Sequence, residues 1–527
     1  MYISCKGITQ EGILCQLVDV ELDISRGLFS FLIVGLADKC IGESRERIIS
    51  AIKNSGFSSP KTKNHKITVS LVPAGIKKEG VLLDLPISLA YLAASGAVNK
   101  KALENSIFIG ELGLDGSIKQ NNSLASIISS LHKEQTGRVN PVILYSNFED
   151  KQTNLIKQLS IEGIIIHKFT YLMDLIVFLN TGVQNKENDS KGVLMEKNLI
   201  TNISNGASNA NASNSTCTDI IYEIDSVVGQ EKAKRAILIS MCAGYNIIMA
   251  GPPGVGKTML ARSMHQLLPT LKPDEYIEVL STHNKLERPF RSPHHTSSYS
   301  SIIGGGSPIN AGEITKAHKG ILFLDELPEF NKNIIESLRQ PLEQGIIQIN
   351  RTGNTVTLPC KIMCVCAMNL CPCGNRGIPK KDCICNGNKI SIYQQKVSQP
   401  FLERFHVSIN LPHEVNHHKK TLKAPNGLMG YQMTKTINHF NKMSVAFLWN
   451  DTESELLDEN SERRSFSMRA IKQIKDITET ICLIDYIESN LLSMQLQTRN
   501  TELDSKQKLI IQKKHLIEAF SYKNNLW

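Results

Sequence analysis

A glycine-rich segment between an apolar run and a helical pattern constrains the fold of this chain more than any other feature. The apolar residues 247–250 predict a strand, and the spacing of apolar side chains over residues 259–268 predicts a helix. A strand, a tight loop and a helix in this order indicate a parallel α/β sheet with a phosphate site at the helix N-terminus. The fixed positions of the pattern G-x-x-x-x-G-K-[ST] are filled by Gly251, Gly256, Lys257 and Thr258.

Each part of this segment has a predicted task toward a nucleotide. Glycines let backbone N–H groups wrap the phosphates, Lys257 reaches the β- and γ-phosphates, and Thr258 binds Mg²⁺. The expected cofactors are therefore ATP and Mg²⁺. The predicted nucleotide-binding residues are Gly251, Pro252, Pro253, Gly254, Val255, Gly256, Lys257 and Thr258.

Two further apolar runs end in polar residues. Residues 320–324 lead into Asp325 and Glu326, which predicts a buried parallel strand with acids at its ligand-binding edge. Asp325 is expected to hold Mg²⁺ and Glu326 to polarise the attacking water. Residues 361–368 lead into Asn369, which suits either a turn or a contact with the γ-phosphate.

Composition limits the class of protein. Hydrophobic residues make up 41% and charged residues 21% of 527 residues, values that exclude a fibrous or wholly disordered chain. The net charge of +9 permits an anionic partner without requiring one. Thirteen cysteines without a signal-peptide pattern favour reduced thiols and a cytoplasmic location. No apolar run reaches the length of a membrane span.

The chain divides at an Asn- and Ser-rich stretch. Such a stretch buries too little apolar surface to offset its ordering entropy, so it predicts a linker over 184–218. Strands near 31–35 and 66–72 and helices over 44–53 and 85–97 predict an α/β domain over 1–183. An α/β ATPase core is predicted over 219–412. Helical patterns over 467–484 and 513–522, with few strand signals, predict a helical subdomain over 413–527.

With these residues in place, the chain resembles the ComM/YifB family of magnesium-chelatase-like AAA+ ATPases. The resemblance spans nearly the whole length except the linker and residues 488–508. Its most specific marks are Arg288-Pro-Phe-Arg-Ser-Pro-His-His-Thr296, Gly304-Gly-Gly306, Gly312-Glu-Ile314, Leu322-Phe-Leu-Asp-Glu-Leu-Pro-Glu-Phe330 and Ala367-Met-Asn-Leu-Cys-Pro-Cys-Gly374.

The resemblance implies further catalytic residues beside Glu326. Asn369 matches the sensor-1 residue, Arg404 matches the arginine finger that reaches a neighbouring subunit's nucleotide, and Arg469 matches the sensor-2 arginine of the lid. Their physical task is to place polar and cationic groups on the departing γ-phosphate. The plain alternative for each arginine is a surface side chain.

The first domain resembles the S5-like fold of Lon proteases, through residues 72–80 and 108–116. In those proteases a nucleophilic serine follows closely on the segment that matches 78–80. Here no hydroxyl or thiol side chain follows before Ser88. Without a nucleophile, peptidase activity is not expected.

Two C-x-C pairs and a His-rich segment remain. Cys371, Cys373, Cys383 and Cys385 could hold a structural Zn²⁺ as four thiolates, or stay reduced thiols. C-x-C is tighter than the C-x₂-C of common zinc knuckles, and nothing in the sequence identifies hydrogen-bond partners for the thiolates. His294 and His295, beside two arginines, suit a loop that faces a ring pore or a neighbour's nucleotide.

These patterns predict an ATP hydrolase, and the resemblance implies that it forms a ring, expected as a homohexamer, that remodels DNA. The resemblance implies branch migration or helicase activity on branched or single-stranded DNA, in recombination or natural transformation. One alternative is the ATPase subunit of a magnesium-chelatase-type metal insertion complex. A second is a DNA-binding scaffold that uses ATP only to assemble.

Overall fold

A computed structural model gives the fold of the chain. It describes residues 1–11, 14–35, 39–62, 64–73, 81–134, 142–149, 153, 164–182, 222–283, 287–306, 310–351, 354–379, 381–413, 428–496 and 508–523. The predicted linker, 184–218, lies outside the described residues. So do most of residues 72–80, which carry part of the resemblance to Lon proteases.

The chain forms two compact units. The first is drawn from Met1–Asn209, Leu271–Leu286 and Ser307–Asn310, and the second from Ala210–Thr270, Glu287–Gly306 and Ala311–Trp527. The domain boundaries given above stay predictions.

The first unit is built on a mixed seven-stranded sheet with the order β3-β4-β2-β1-β5-β6-β7. β2 pairs antiparallel with β1 and β4, and the other neighbours in the sheet are parallel. Its strands are β1 Tyr2–Glu11, β2 Leu14–Arg26, β3 Ser30–Val34, β4 His65–Val72, β5 Ser106–Phe108, β6 Val142–Ser146 and β7 Ile164–Lys168. Its helices are Lys39–Asn54, Asp84–Ala94, Leu124–Glu134, Leu172–Thr181 and Pro273–His283, with 3₁₀ turns at Pro60–Thr62 and Lys100–Leu103.

Alternation of apolar and polar residues explains the first sheet. Val18, Val20 and Leu22 of β2 are buried on one face of the strand, as a period of two residues requires. Helix Asp84–Ala94 is buried at every position, which matches its nearly continuous apolar sequence. Helix Lys39–Asn54 contains the predicted helix 44–53, so the sequence patterns identified these elements correctly.

One helix of the first unit comes from far along the chain. Helix Pro273–His283 lies between the phosphate segment and the His-rich segment in sequence. Its Ile277 and Leu280 nevertheless join a buried cluster with Ile128 and Leu131 of helix Leu124–Glu134. No local pattern could indicate this, because the partner lies about 150 residues earlier in the chain.

The second unit contains a parallel five-stranded sheet with the order β16-β8-β15-β12-β9. Every neighbouring pair in it is parallel. Its strands are β8 Ile247–Ala250, β9 Phe290–Arg291, β12 Ile321–Leu324, β15 Met363–Met368 and β16 Val407–Asn410. The strands outside this sheet are β10 Gly304–Gly305, β11 Asn310–Ala311, β13 Ile346–Arg351, β14 Asn354–Pro359, β17 Ala446–Leu448 and β18 Lys508–Ile510. All residues of β8, β12 and β15 are buried, so the predicted buried strands are confirmed.

Helices cover this sheet and form the C-terminal part of the unit. They are Glu223–Ser226, Glu231–Ala243, Lys257–Gln266, Tyr299–Ile303, Glu313–Lys316, Lys332–Ser337, Arg339–Gln344, Gly387–Gln395, Gln399–Leu402, Leu428–Phe440, Asp451–Arg463, Met468–Leu496 and Lys513–Ser521, with a 3₁₀ turn at Leu327–Glu329. Helix Met468–Leu496 buries Ile474, Ile477, Ile481 and Ile484 at helical spacing. The predicted helices 467–484 and 513–522 are therefore confirmed.

The α/β fold class with a parallel core sheet and a helical end is confirmed. The pairing of β17 with β18 was not foreseen. These strands have only three residues each, and their partners lie far apart in sequence, so their local signal is weak. Among the described residues, none of the helices is both long and apolar enough to cross a membrane.

Candidate active site

The phosphate segment folds as a tight loop between β8 and helix Lys257–Gln266. Gly254 and Gly256 have φ angles of 80° and 91°, in the left-handed region that glycine adopts without strain. At both positions the space where a side chain would point is open for 4 Å. The loop therefore forms an open cradle at the helix N-terminus, where the first backbone N–H groups have no partner within the helix and can bind an anion.

Lys257 lies at the centre of this site. Its ammonium Nζ donates hydrogen bonds to the carbonyl oxygens of Gly251, at 2.8 Å, and Pro252, at 2.9 Å. A third bond, of 3.1 Å, runs to Oδ1 of Asn369. Burial lowers the pKa of Lys257, while the charges of Asp325 and Glu326 oppose this shift. The Lys257 ammonium therefore lies among oxygen acceptors, and the oxygens of a bound phosphate could accept its hydrogen bonds in their place.

Parallel pairing of β15 with β8 brings Asn369 to the lysine. Met368 of β15 is in register with Ala250 of β8, and the Gly251 N–H donates to the Met368 carbonyl at 3.1 Å. Asn369 follows Met368 directly, so its amide reaches the phosphate loop. The predicted contact between this strand end and the nucleotide site is consistent with that position.

The two predicted magnesium ligands are neighbours. The Thr258 hydroxyl donates to Oδ2 of Asp325 at 3.0 Å. Asp325 follows β12 and Thr258 follows β8, and both strands pair in parallel with β15, so the acid and the threonine lie at one edge of the sheet. A hydroxyl and a carboxylate oxygen are the hard ligands that Mg²⁺ takes, usually together with water and phosphate oxygens.

Glu326 stands beside a histidine that the sequence did not connect with it. The Glu326 side chain is 54% exposed, and Nδ1 of His295 lies 3.4 Å from its Oε2. The backbone of Glu326 has a φ of 54°, and its N–H donates to Oδ1 of Asp325 at 3.0 Å. The His295 ring also packs edge-on against Phe330. His295 therefore contacts the predicted catalytic acid of its own chain.

The two predicted arginines meet at one carboxylate. Arg404 donates to Oε2 of Glu343 at 3.0 Å, and Arg469 donates to Oε1 of the same side chain. Arg404 also donates to the Pro400 carbonyl. The two arginines therefore lie close together, and both contact Glu343 of helix Arg339–Gln344. Glu343 carries no sequence signal of this role, because its partners lie in two distant segments.

Arg288 and Arg291, the two arginines beside the His-rich segment, have partners within the chain. Arg291 forms a two-bond pair with Glu313, at 2.7 and 2.9 Å. The Arg288 guanidinium donates to the Lys319 carbonyl at 2.9 Å. These contacts hold the two arginines in the fold of the second unit.

The four cysteines of the C-x-C pairs converge. The sulfur atoms of Cys371, Cys373, Cys383 and Cys385 all lie within 4.8 Å of one another. The sequence placed these residues in two pairs separated by nine residues, and folding makes one cluster of them.

The residues present fit ATP and Mg²⁺. An open anion cradle, a buried lysine and an adjacent hydroxyl–carboxylate pair are the groups that a nucleotide and its metal require. Bound Mg²⁺ would neutralise phosphate charge during hydrolysis. Lys257 and the loop glycines would hold the phosphates, and Thr258 and Asp325 would hold the metal.

Two family models match this chain, and one of them covers the residues of the nucleotide site. A family model described as magnesium chelatase, subunit ChlI, matches residues 223–419, and one described as subunit ChlI of Mg-chelatase matches residues 20–142. Lon protease 2 of Bacillus subtilis is 29% identical over 134 residues, which cover 22% of this chain and 24% of that protease.

Two relatives match most of the chain. The uncharacterized protein YifB of Escherichia coli (strain K12) is 35% identical over 412 residues, covering 76% of this chain and 74% of YifB. The competence protein ComM of Haemophilus influenzae is 34% identical over 422 residues, with the same coverage of both chains. Such identity over three quarters of both proteins, together with the nucleotide site, shows that the chain belongs to the ComM/YifB family of magnesium-chelatase-like AAA+ ATPases.

Proposed function

We propose that this ATPase uses ATP hydrolysis to move branched DNA, as a branch-migration or helicase motor in recombination or natural transformation. The observation that carries the motor chemistry is the convergence of Lys257, Thr258, Asp325, Glu326 and Asn369 at one edge of the parallel sheet. The name of the relative ComM, a competence protein, supports a role in DNA uptake. A location in the cytoplasm, where such DNA arrives, is part of the proposal.

The catalytic roles follow from the site geometry. Lys257 binds phosphate and Asn369 orients it, since the two side chains already share a hydrogen bond of 3.1 Å. Thr258 and Asp325 bind the metal through their oxygens. Glu326, with an exposed carboxylate, accepts a proton from the attacking water.

A hexameric ring completes this proposal. In a head-to-tail ring each subunit offers one surface to the next, so a side chain can serve a neighbour's site. Arg404 is proposed to act there as the arginine finger, and Arg469 as the sensor of the lid. In the single chain Glu343 pairs with both side chains instead. Each arginine would leave that carboxylate in order to contact a phosphate.

The division of labour along the chain is also proposed. Residues 219–412 form the ATPase core, 413–527 the lid, 184–218 a linker, and 1–183 a Lon-like domain without peptidase activity. Residues 81–87, which follow 78–80, are buried or half-buried, and none of them carries a hydroxyl or thiol.

DNA contact is proposed to be sequence-tolerant, because an excess of positive charge attracts phosphate without reading bases. Arg288 and Arg291 are poor test positions, since their internal contacts make an alanine variant a structural change as well. Lys419, Lys420 and Lys423, the other cationic cluster in the sequence, lie outside the described residues.

The test is ATP-driven movement of a fluorescent four-way junction by the full-length protein, at low and moderate salt. Wild type should move the junction, and Glu326→Gln should bind both ATP and DNA while hydrolysis falls about a hundredfold or more. Glu329→Gln is the matched control, since that acid lies three residues away and its carboxylate pairs with the exposed Lys396. It should keep wild-type rates.

Two outcomes would contradict the proposal. An ATPase that neither binds nor moves any DNA at low salt would remove the DNA role. If wild type binds DNA as strongly as Glu326→Gln does but moves no junction, the result would favour the scaffold that uses ATP only to assemble.

The ATPase subunit of a metal-insertion complex is a second candidate. The descriptions of both matching family models favour it, because they name subunit ChlI of magnesium chelatase. It predicts ATP turnover that is stimulated by a chelatase partner and a porphyrin, with no response to junction DNA. Measurement of ATPase rates with each addition distinguishes the two candidates.

A further inference from the structure

The sulfur atoms of the four-cysteine cluster have the spacing of a metal site. Three of the separations are 3.4 Å for Cys371–Cys373, 3.6 Å for Cys373–Cys383 and 3.6 Å for Cys371–Cys383. Four thiolates around Zn²⁺, with bonds of about 2.3 Å, lie about 3.8 Å apart at the corners of a tetrahedron. All four residues are free cysteines, and the separations are far longer than a disulfide bond of about 2.05 Å.

The backbone around the cluster supplies partners for the thiolates. The Arg376 N–H donates to the sulfur of Cys371 at 3.4 Å. The N–H groups of Asn375 and Ile384 also face the sulfur of Cys373. Bonds of this kind orient metal ligands and reduce the negative charge of a thiolate site. The sequence showed no such partners because they are main-chain groups placed by turns.

The loop that carries the cluster lacks an apolar core. Among the described residues from 375 to 392, all except 380, none is buried. Ile384, which lies between two of the cysteines, is 83% exposed. A segment with so little apolar burial needs another source of stability, which a structural metal supplies.

The same loop packs on the phosphate site. A side-chain carbon at Gly374 would lie 3.0 Å from Cγ of Pro253, so the glycine backbone contacts that proline closely. A carbon at Gly377 would lie 3.8 Å from Cδ of Pro252. Pro252 and Pro253 belong to the loop that cradles the phosphates. The cysteine loop therefore forms one wall behind that cradle.

The cluster also brackets the asparagine that contacts Lys257. Asn369 precedes Cys371 by two residues, and its backbone lies beside the hydroxyl of Tyr393. Tyr393 is buried on helix Gly387–Gln395, which follows Cys385. A bond between the two cysteine pairs would thus fix both segments that hold Asn369.

We propose that Cys371, Cys373, Cys383 and Cys385 bind one structural Zn²⁺, and that this metal holds Asn369, Pro252 and Pro253 in the geometry that binds nucleotide. The metal part stands independently of the proposed function. The nucleotide part rests on the ATP site but not on any action on DNA.

The first experiment measures metal in the full-length protein. Wild type purified without added metal should contain about one zinc ion per chain by mass spectrometry. Exchange into Co²⁺ should give the visible absorption of tetrahedral thiolate ligation. Cys383→Ser with Cys385→Ser should lose both signals, and Cys482→Ser should keep them, because that thiol donates to the Ile510 carbonyl away from the cluster. If the wild-type protein contains no zinc and gives no such Co²⁺ spectrum, the proposed site is wrong, whether or not the double variant folds.

The second experiment measures nucleotide affinity. Removal of zinc by an organomercurial, followed by removal of the reagent, should weaken binding of a fluorescent ATP analogue about tenfold, and added Zn²⁺ should restore it. Lys257→Ala should lose nucleotide affinity while keeping zinc, which separates failure of the nucleotide site from failure of the metal site. Unchanged affinity in zinc-free protein that remains folded by circular dichroism would overturn the link between metal and nucleotide.

Discussion

Nδ1 of His295 lies 3.4 Å from Oε2 of Glu326, although the two residues belong to separate segments of the chain. Glu326 has a left-handed backbone, and more than half of its side chain is exposed, so few contacts limit its orientation. The histidine is the neighbour that does so. Its ring packs edge-on against Phe330 and at a tilt of 32° against His294.

His295→Ala is expected to reduce the maximal rate of ATP hydrolysis about tenfold with little change in ATP affinity, because it frees the carboxylate without touching the phosphate loop. Steady-state rates at varied ATP, together with direct binding of an ATP analogue, measure the two effects. His439→Ala is the matched control, since the His439 ring bonds to the Lys435 carbonyl within its own helix, Leu428–Phe440. Equal rates for wild type and His295→Ala would show that the contact has no role in hydrolysis.

Lys257→Ala should weaken ATP binding about a hundredfold, because the variant removes the buried ammonium that faces the phosphate position. Isothermal calorimetry with a slowly hydrolysed ATP analogue provides the measurement. Lys396→Ala, which removes an exposed ion pair with Glu329, is the control and should bind normally. Retention of full affinity in Lys257→Ala would place the nucleotide elsewhere.

Arg404 can be tested by mixing two inactive variants. If the arginine serves a neighbour, Arg404→Ala and Glu326→Gln should each be inactive alone, yet an equimolar mixture should recover roughly a quarter of wild-type ATPase, since half the sites and half the arginines are intact. The rate is followed across mixing ratios, with Arg339→Ala replacing Arg404→Ala as a control that is active by itself. Absence of recovery at every ratio would argue against an arginine supplied by the next subunit.

Arg235 connects helix Glu231–Ala243 to the C-terminal helices through three acids. It contacts Asp485 at 2.5 Å, Glu488 at 3.1 Å and Glu518 at 3.1 Å. Arg235→Gln should lower the free energy of unfolding by about 2 kcal/mol at neutral pH, because it leaves partly buried carboxylates without their cation. Chemical denaturation measures this, with Arg463→Gln, at an exposed pair with Glu459, as the control.

The effect of Arg235→Gln should depend on pH. Although burial opposes it, the hydrogen bond from His515 and the charge of Arg235 hold the pKa of Asp485 well below its usual range. Because the folded pKa is lowered, this stabilisation is present above the ordinary value of about 3.9 and is lost as the pH falls through the folded value. Burial raises the pKa of Glu488 despite Arg235, so that acid is destabilising at neutral pH and less so in acid. The difference between wild type and variant should therefore shrink below about pH 4. A difference that grows on acidification would contradict this account.

Local patterns in the sequence determined much of the nucleotide site. The strand Ile247–Ala250, the glycine loop and the helix from Lys257 are consecutive, so their apolar spacing and glycines identify them without tertiary information. The acids after β12 and the asparagine after β15 were placed by a simple rule, that carboxyl ends of parallel strands share one edge. The helix predicted over 467–484 from its apolar period is the first part of the long helix Met468–Leu496.

Tertiary structure alone decided the contacts between distant segments. His295 at Glu326, Glu343 between two arginines and helix Pro273–His283 in the first unit depend on how elements pack, which no short window of sequence contains. The four cysteines show the division most clearly. Their residue types and spacing allowed either a metal site or reduced thiols, because spacing along a loop does not set the distance between sulfur atoms. Only the folded loop brings all four within 4.8 Å and packs them behind the phosphate cradle.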